Sequence, residues 1–169
     1  MRTLPWLLIA IVLSGCSSDP RTGYSLNPGS EQTVSSIAVP IFENVTFRPG
    51  LEHELTKAIQ NEVHRSTPWS VMPEGRADST LRGVITEVSL RKLNTDQTSG
   101  LGSEYALDIV VDFRWRENAT AQTLLERKSF RGVGRFAPGP GVREPIEFGE
   151  QEAVDRLARS IVRELRTTW

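Results

Sequence analysis

Few side chains in this sequence are placed for chemistry, and the first of them is a thiol. Cys16 closes a segment in which Arg2 supplies one positive charge and Leu7 to Leu13 is almost wholly apolar. Leu13-Ser14-Gly15 then leads up to the cysteine. A charged start, an apolar stretch, small residues and then cysteine is the order of a bacterial lipoprotein signal. In such a signal the thiol takes up diacylglycerol and the new N-terminus an acyl chain. The apolar run is too short to cross a bilayer, which takes roughly 20 apolar residues. Residues 1–15 therefore read as a cleaved export signal, with Cys16 as the first residue of the mature chain. Two or more acyl chains, each buried CH₂ contributing about 0.8 kcal/mol, make a stable anchor.

Acid–base and metal chemistry find less support. His53 and His64 are eleven residues apart on one expected helix, about 16 Å, and both fall opposite its apolar stripe. That is too far to share a metal ion. Cys16 is the one cysteine, so neither an intramolecular disulfide nor a Cys/His metal cluster is possible. Asp108 and Asp112 share one strand face but stand about 13 Å apart at 3.3 Å per residue, too far for a carboxylate pair. Gly132-Val133-Gly134 reads as a β-bulge, since no helix follows it in the phosphate-binding form. Asn44-Val45-Thr46 and Asn118-Ala119-Thr120 match the glycosylation sequon by chance. Neither an enzyme nor a cofactor is expected.

The cations are the more promising pattern. Arg156, Arg159, Arg163 and Arg166 recur at spacings of 3, 4 and 3, within an arc of about 80° at 100° per residue. Guanidinium groups grip phosphate and carboxylate bidentately, so this row is a candidate for an anionic partner. Positive charge there also offsets the helix dipole. Arg91-Lys92, where a strand meets a polar loop, forms a second basic point.

The elements that must position these groups are legible from periodicity. Removing the signal leaves about 150 residues, enough for one domain with a real core. Hydrophobic content of 38%, 24% charged residues and a net charge of −1 describe a globular body without a bias toward polyanions. Residues 16–33 are polar and rich in Gly, Pro and Ser, the composition of a tether. Residues 34–169 form the domain. Ser36 to Phe42 is a first strand, which leaves the sheet or lies at its edge at Pro40. Leu51 to about Arg65 is a helix with Leu51, Leu55, Ala58, Ile59 and Val63 on one stripe. Trp69 to Met72 is a short strand. Thr80 to Arg91 is a central one, with Leu81, Gly83 and Ile85 on one face and Val84, Thr86 and Val88 on the other. Asn94 to Gly102 is a hairpin loop. From Glu104 to Arg116 the residues Tyr105, Leu107, Ile109, Val111, Phe113 and Trp115 point one way. Asp108 and Asp112 point to a wet face. Thr123 to Arg135 is the last strand, residues 137–141 a loop, and Glu150 to Arg166 a closing helix. The expected fold is α+β: a two-layer sandwich with two amphipathic helices on one face of a mixed sheet of four or five strands.

These residues resemble a known family. Gly23-Tyr24-Ser25-Leu26 follows the lipidation motif, then come Ile37-Ala38-Val39-Pro40-Ile41-Phe42-Glu43-Asn44 and Phe47-Arg48-Pro49-Gly50-Leu51-Glu52. Leu81-Arg82-Gly83, Phe130-Arg131-Gly132 and the terminal amphipathic helix complete the set. Together they look like the LptE family of lipopolysaccharide-assembly lipoproteins. The spacer between Cys16 and Gly23-Tyr24 is longer than in many members. The resemblance implies two helices on a mixed sheet, and a lipoprotein that plugs and helps assemble an LptD-type outer-membrane barrel and assists lipopolysaccharide delivery. Ser17, where inner-membrane lipoproteins resemble one another in carrying Asp, implies the periplasmic face of the outer membrane. Lipopolysaccharide and the barrel are thus the implied partners, with no nucleic acid. Arg91, Lys92, Arg156, Arg159, Arg163 and Arg166 are the candidates for anion contact on chemistry alone. Ile37-Ala38-Val39-Pro40 with Glu43-Asn44 is also similar to the start of periplasmic domains in curli-secretion lipoproteins and activators of peptidoglycan synthases. That likeness implies instead a binding module for a secretion or peptidoglycan-synthesis protein.

Overall fold

A computed structural model describes residues 34–95, 102–137 and 146–168. The expected signal, Cys16, the tether 16–33 and most of the loops 94–102 and 137–141 lie outside these residues. The described residues all belong to one compact unit, Gln32–Trp169. They form strands β1 (Ser36–Ala38) and β2 (Glu43–Asn44), helix α1 (Leu51–Ser66), and strands β3 (Ser70–Val71), β4 (Ser79–Thr95), β5 (Gly102–Glu117) and β6 (Thr123–Phe136). Helix α2 (Ile146–Thr168) closes the series, and a 3-10 turn, Glu74–Arg76, lies between β3 and β4. The sheet runs β3-β1-β4-β5-β6, with β2 lying beside β4 beyond the end of β1. β4–β5–β6 is an antiparallel meander, whereas β1 and β2 run parallel to β4. The expected α+β architecture is what the chain adopts.

The first expected strand divides at its proline. β1 stops at Ala38, and the chain leaves the ladder through Val39-Pro40 and returns as β2. Pro40 has no N–H to give a ladder. Across the detour the Phe42 N–H is taken by the Thr56 hydroxyl at 3.0 Å, and Gln60 donates to the Val39 carbonyl at 2.9 Å. Both partners are on α1, so the helix satisfies backbone that the sheet does not.

The core lies between the helices and the inner sheet face. Leu51, Leu55, Ile59 and Val63 of α1 and Ala153, Val154, Leu157, Ile161 and Leu165 of α2 are buried against Ile37, Leu81, Ile85, Leu107, Ile109, Val111 and Trp115. Trp69 and Trp115 meet at 5.3 Å between ring centroids.

Gly132 and Gly134 are not the bulge their spacing suggests. Both sit in regular pairs with Ile109 and Leu107, and their missing side chains let α2 approach. A Cβ on Gly134 would stand 1.9 Å from the Gly149 carbonyl oxygen, and one on Gly132 2.7 Å from the Leu157 Cβ. The bulges lie elsewhere. Thr86 is the extra residue of β4, between the Ile85–Val111 and Glu87–Val110 pairs. Lys128 and Ser129 together face Asp112 across β6. Ser129 takes a left-handed φ of 52°, and its N–H donates to Asp112 at 2.8 Å.

Each bulge reverses the alternation of its strand. Past Thr86, Val88 turns to the core face, where it packs on the cluster, and not to the face of Val84 as simple alternation demands. The same step carries Arg91 to the outer face.

Both helices run antiparallel to β4. Gly149 lies over Gly134 and Leu157 over Gly132, while Glu164 reaches Arg127, so α2 descends β6 from its end to its start. α1 begins beside β2, where Glu52 accepts from Asn44 at 2.7 Å, and ends beside β3. The two helix C-termini therefore share the end of the domain at which Val34 leads into β1.

Candidate functional site

The bulge at Thr86 builds the most distinctive polar feature of the molecule. Asp108 projects from the middle of β5 onto the outer sheet face, yet only 1% of it is exposed. The expected wet position is roofed by arginines. Arg91 clasps the carboxylate in fork geometry, Nε to Oδ2 at 2.6 Å and Nη2 to Oδ1 at 3.2 Å. Arg131 approaches from β6, Nη1 to Oδ1 at 3.6 Å. Arg135, four residues on, stands 3.9 Å from Glu104. Three guanidinium groups thus share two carboxylates. The stems of Arg91 and Arg131 cover the Asp108 carboxylate while about half of each side chain stays in water, 54% and 56%. Their free N–H edges can take a further anion without breaking the inner pair.

Arg91 and Lys92 do not form one basic point. β4 continues past them to Thr95, so they lie within a strand and on opposite faces. Lys92 is exposed opposite Tyr105, which stacks on Phe136 at 5.6 Å. Arg131 and Arg135 are the partners that periodicity missed. They join Arg91 because β6 lies beside β5 in this register, and strand pairing is not written in either strand alone.

Around the same end of the domain stand exposed apolar side chains. Phe47 is fully exposed, and Val45, Leu90 and Phe148 are more than or nearly half exposed. The loop that carries Phe47 is held firmly. Asn44 accepts the Thr46 N–H at 2.9 Å and donates to the Arg48 carbonyl at 2.7 Å. Arg48 pairs with Glu150 of α2 at 2.8 Å. Gly50, at φ 97°, makes the turn into α1. Glu52 gathers the Asn44 amide, its own backbone and the Gly50 N–H, which together hold its carboxyl down at about 2. A rigid loop thus presents an aromatic ring to solvent.

The arginine row of α2 is exposed along its whole length but uneven in its partners. Arg156 is engaged by Glu152 at 2.5 Å. Glu152 also accepts the Arg135 N–H, which with Arg156 holds its carboxyl below the usual range. Arg163 touches the Ser160 hydroxyl at 3.3 Å. Arg159 and Arg166 have no ion pair among the described residues. The row lies on the helix layer, Arg163 and Arg166 toward the Val34 end and Arg156 beside mid-sheet, and is not contiguous with Arg91 and Arg131 on the outer sheet face.

Other candidates resolve simply. His53 and His64 are both exposed, and among the described residues no three His, Cys, Asp or Glu groups converge as a metal site. Asp112 is occupied by the Ser129 N–H. The sequon amides are used internally: Asn44 donates to Arg48 and Glu52, and Asn118 to the Ala77 carbonyl at 2.7 Å. No described helix is long and apolar enough to cross a membrane.

The model of the LptE, lipopolysaccharide-assembly, family matches residues 34–168. The chain belongs to the LptE family. That span covers every described strand and helix of the domain. No curated protein matches the sequence. Solved structures match the fold at low identity. A hypothetical protein of Chlamydia trachomatis superposes with a TM-score of 0.57 at 11% identity, over 80% of this chain and 97% of that one. A protein of Xanthomonas campestris gives 0.54 at 12% identity, over 84% and 90%. A minor lipoprotein of Acinetobacter baumannii gives 0.52 at 11%, over 79% and 94%. This LptE-family domain therefore shares its architecture with proteins of very different sequence, a lipoprotein among them.

Proposed function

We propose that this LptE-family protein is an outer-membrane lipoprotein, anchored through Cys16. It plugs and helps assemble an LptD-type barrel and assists delivery of lipopolysaccharide to the outer leaflet. The observation that carries the reading is the family match over the whole folded domain. The chemistry of the domain's far end agrees with it. Lipid A joins phosphates to acyl chains, and here exposed guanidinium groups of Arg91 and Arg131 stand at the same end as Phe47, Leu90 and Phe148. A charged outer sheet face also suits a wet barrel lumen.

The test is purification of the tagged protein from detergent-solubilised outer membrane. A stoichiometric large barrel is the expected companion. A peptidoglycan synthase or secretion protein in its place would establish the binding-module reading instead. Lipid contact is then tested with Arg91→Gln plus Arg131→Gln, which is expected to weaken binding to lipopolysaccharide about thirtyfold if each charged contact is worth 1 kcal/mol or so. Charge reversal at Arg91 is the wrong probe, because it would place a second carboxylate against buried Asp108.

A further inference from the structure

The two parallel helices make the domain electrically lopsided. Their first turns carry Glu52, Glu54 and Glu147, followed closely by Glu150 and Glu152. Their last turns carry His64, Arg65 and Arg166, with Arg159 and Arg163 just before. Arg65, Arg163 and Arg166 lie toward the end where Val34 joins the domain, and Arg159 stands a half-turn past Leu157, which packs over Gly132 in mid-sheet. The sheet fixes that geometry. Ile37 pairs with Ser79, and Ser79 with Glu117. Four residues up β5, about 13 Å away, Phe113 pairs with Arg127, whose guanidinium holds Glu164 at 2.9 Å. α2 then runs on toward the Val34 end for another turn.

Some of the carboxylates near this end are paired with cations, and Asp78 is bound by the Ser35 and Ser36 hydroxyls and N–H groups. Glu164 is held by Arg127 and Glu62 by Arg65, Oε2 to Nε at 3.1 Å. Asp155, a turn before the row, accepts from Gln151 at 3.1 Å and makes no ion pair with Arg159. Arg159, Arg163 and Arg166 make no ion pair among the described residues and are spread over about 10 Å of helix, with Asp155 in the same groove as Arg159. Arg65 of α1 lines the same interhelical groove as Arg159. A surplus of this size is not needed to offset a helix dipole, which amounts to about half a charge.

We infer that this arginine face docks on anionic phospholipid headgroups of the leaflet that holds the protein's own anchor. The placement supports that occupant. The seventeen residues between Cys16 and Val34 join the domain at its arginine-bearing end, so the headgroups nearest the tether are the anions this face meets first. Arginines near a negatively charged leaflet each raise partition roughly fivefold, and the effect fades within a Debye length. The surface chemistry stands without acylation; only the choice of leaflet rests on the anchor reading above.

The test uses the mature chain, residues 16–169, with Cys16→Ser, so that neither an acyl chain nor the apolar export segment contributes, with and without Arg159→Glu, Arg163→Glu and Arg166→Glu. Both proteins are sedimented with phosphatidylcholine vesicles that contain or lack phosphatidylglycerol. The parent is expected to bind the phosphatidylglycerol vesicles at least tenfold better than the triple variant. The difference should vanish at about 0.5 M salt, where screening is nearly complete. Equal binding of the two proteins, or equal binding to both vesicles, overturns the inference. If the triple variant fails to fold, Arg159→Gln with Arg166→Gln, expected to lose at least fivefold, decides in its place. Mass spectrometry of wild-type protein from membranes reads acylation of Cys16 separately, so failure of the anchor and failure of the docking face are distinguishable.

Discussion

Gly134→Ala tests the claim that α2 is seated by missing side chains. The added Cβ would lie 1.9 Å from the Gly149 carbonyl oxygen and 2.6 Å from the Ala153 nitrogen. Both are backbone atoms of a helix, so neither can turn aside, and α2 must retreat by more than 1 Å or so. A gap of that size forfeits a quarter to a half of each dispersion contact along the seam. Overpacking ordinarily costs 1–3 kcal/mol, and a backbone-on-backbone clash belongs at the upper end, about 3 kcal/mol. With a urea m-value of about 2 kcal/mol/M, the unfolding midpoint should fall by about 1.5 M. Gly149→Ala meets the Phe136 ring at 2.6 Å, a side chain that can rotate, and should cost about half as much. Gly75→Ala meets nothing within 4 Å and should stay within about 0.5 kcal/mol of the parent. The order 134, 149, 75 is the content of the prediction. If Gly134→Ala unfolds at the same urea concentration as Gly75→Ala, close approach is not why glycine stands there.

Asp108→Ala should destabilise by about 1–2 kcal/mol, since its arginines are half in water and can rehydrate; Arg91→Gln should cost less, because Arg131 remains on the carboxylate, and urea titration ranks the two. The Ser35 and Ser36 hydroxyls and N–H groups hold Asp78 below its ordinary carboxyl range. A group depressed in the folded state adds stability above its unfolded pKa and loses it as pH falls, so stability should drop below about pH 4, and Asp78→Asn should flatten that drop. Glu52, lowered from 4.5 to about 2, extends the loss to lower pH, and Glu52→Gln should remove the part between those two values. Ser129→Gly should raise the urea midpoint by the equivalent of about 0.5–1 kcal/mol, because a left-handed φ costs an L-residue 1–2 kcal/mol and the Asp112 bond is to the backbone.

Periodicity was a good guide wherever a residue's neighbours were its own element. The stripes of α1 and α2 and the alternation of β5 place the core correctly, because burial on one face imprints a period of 3.6 or 2 on the sequence. The guide failed at the bulges. Thr86 looks like any strand residue, yet it moves Arg91 from the face of Ile85 to that of Asp108. Gly132 and Gly134 looked like a bulge because glycine in a strand signals either a kink or a close approach, and only the position of α2 separates the two. Asp108 read as wet because its cover comes from Arg91 and Arg131 on two other strands. The arginine row was legible as a row, but its meaning depends on which end of the domain it occupies.

That end follows from one topological fact. β1 and β4 are parallel, so the chain must return from the end of β1 to the start of β3 and β4, and α1 makes the return antiparallel to the sheet. β6 is also parallel to β4, so the helix after it returns in the same sense. Any sequence that folds this way sets both helix N-termini at the β4–β5 end and both C-termini at the end where the chain comes in. Acidic first turns and basic last turns, each favoured locally by a helix dipole, then add up across the layer instead of cancelling. Local capping preference and global topology thus give the domain an acidic and a basic pole on its helix face. The guanidinium pair over Asp108 stands on the outer sheet face and the α2 row on the helix layer, so no single anion can bridge them. The domain thus has one cationic surface on its helix layer and another on its outer sheet face. The two can be mutated, and their partners assigned, independently.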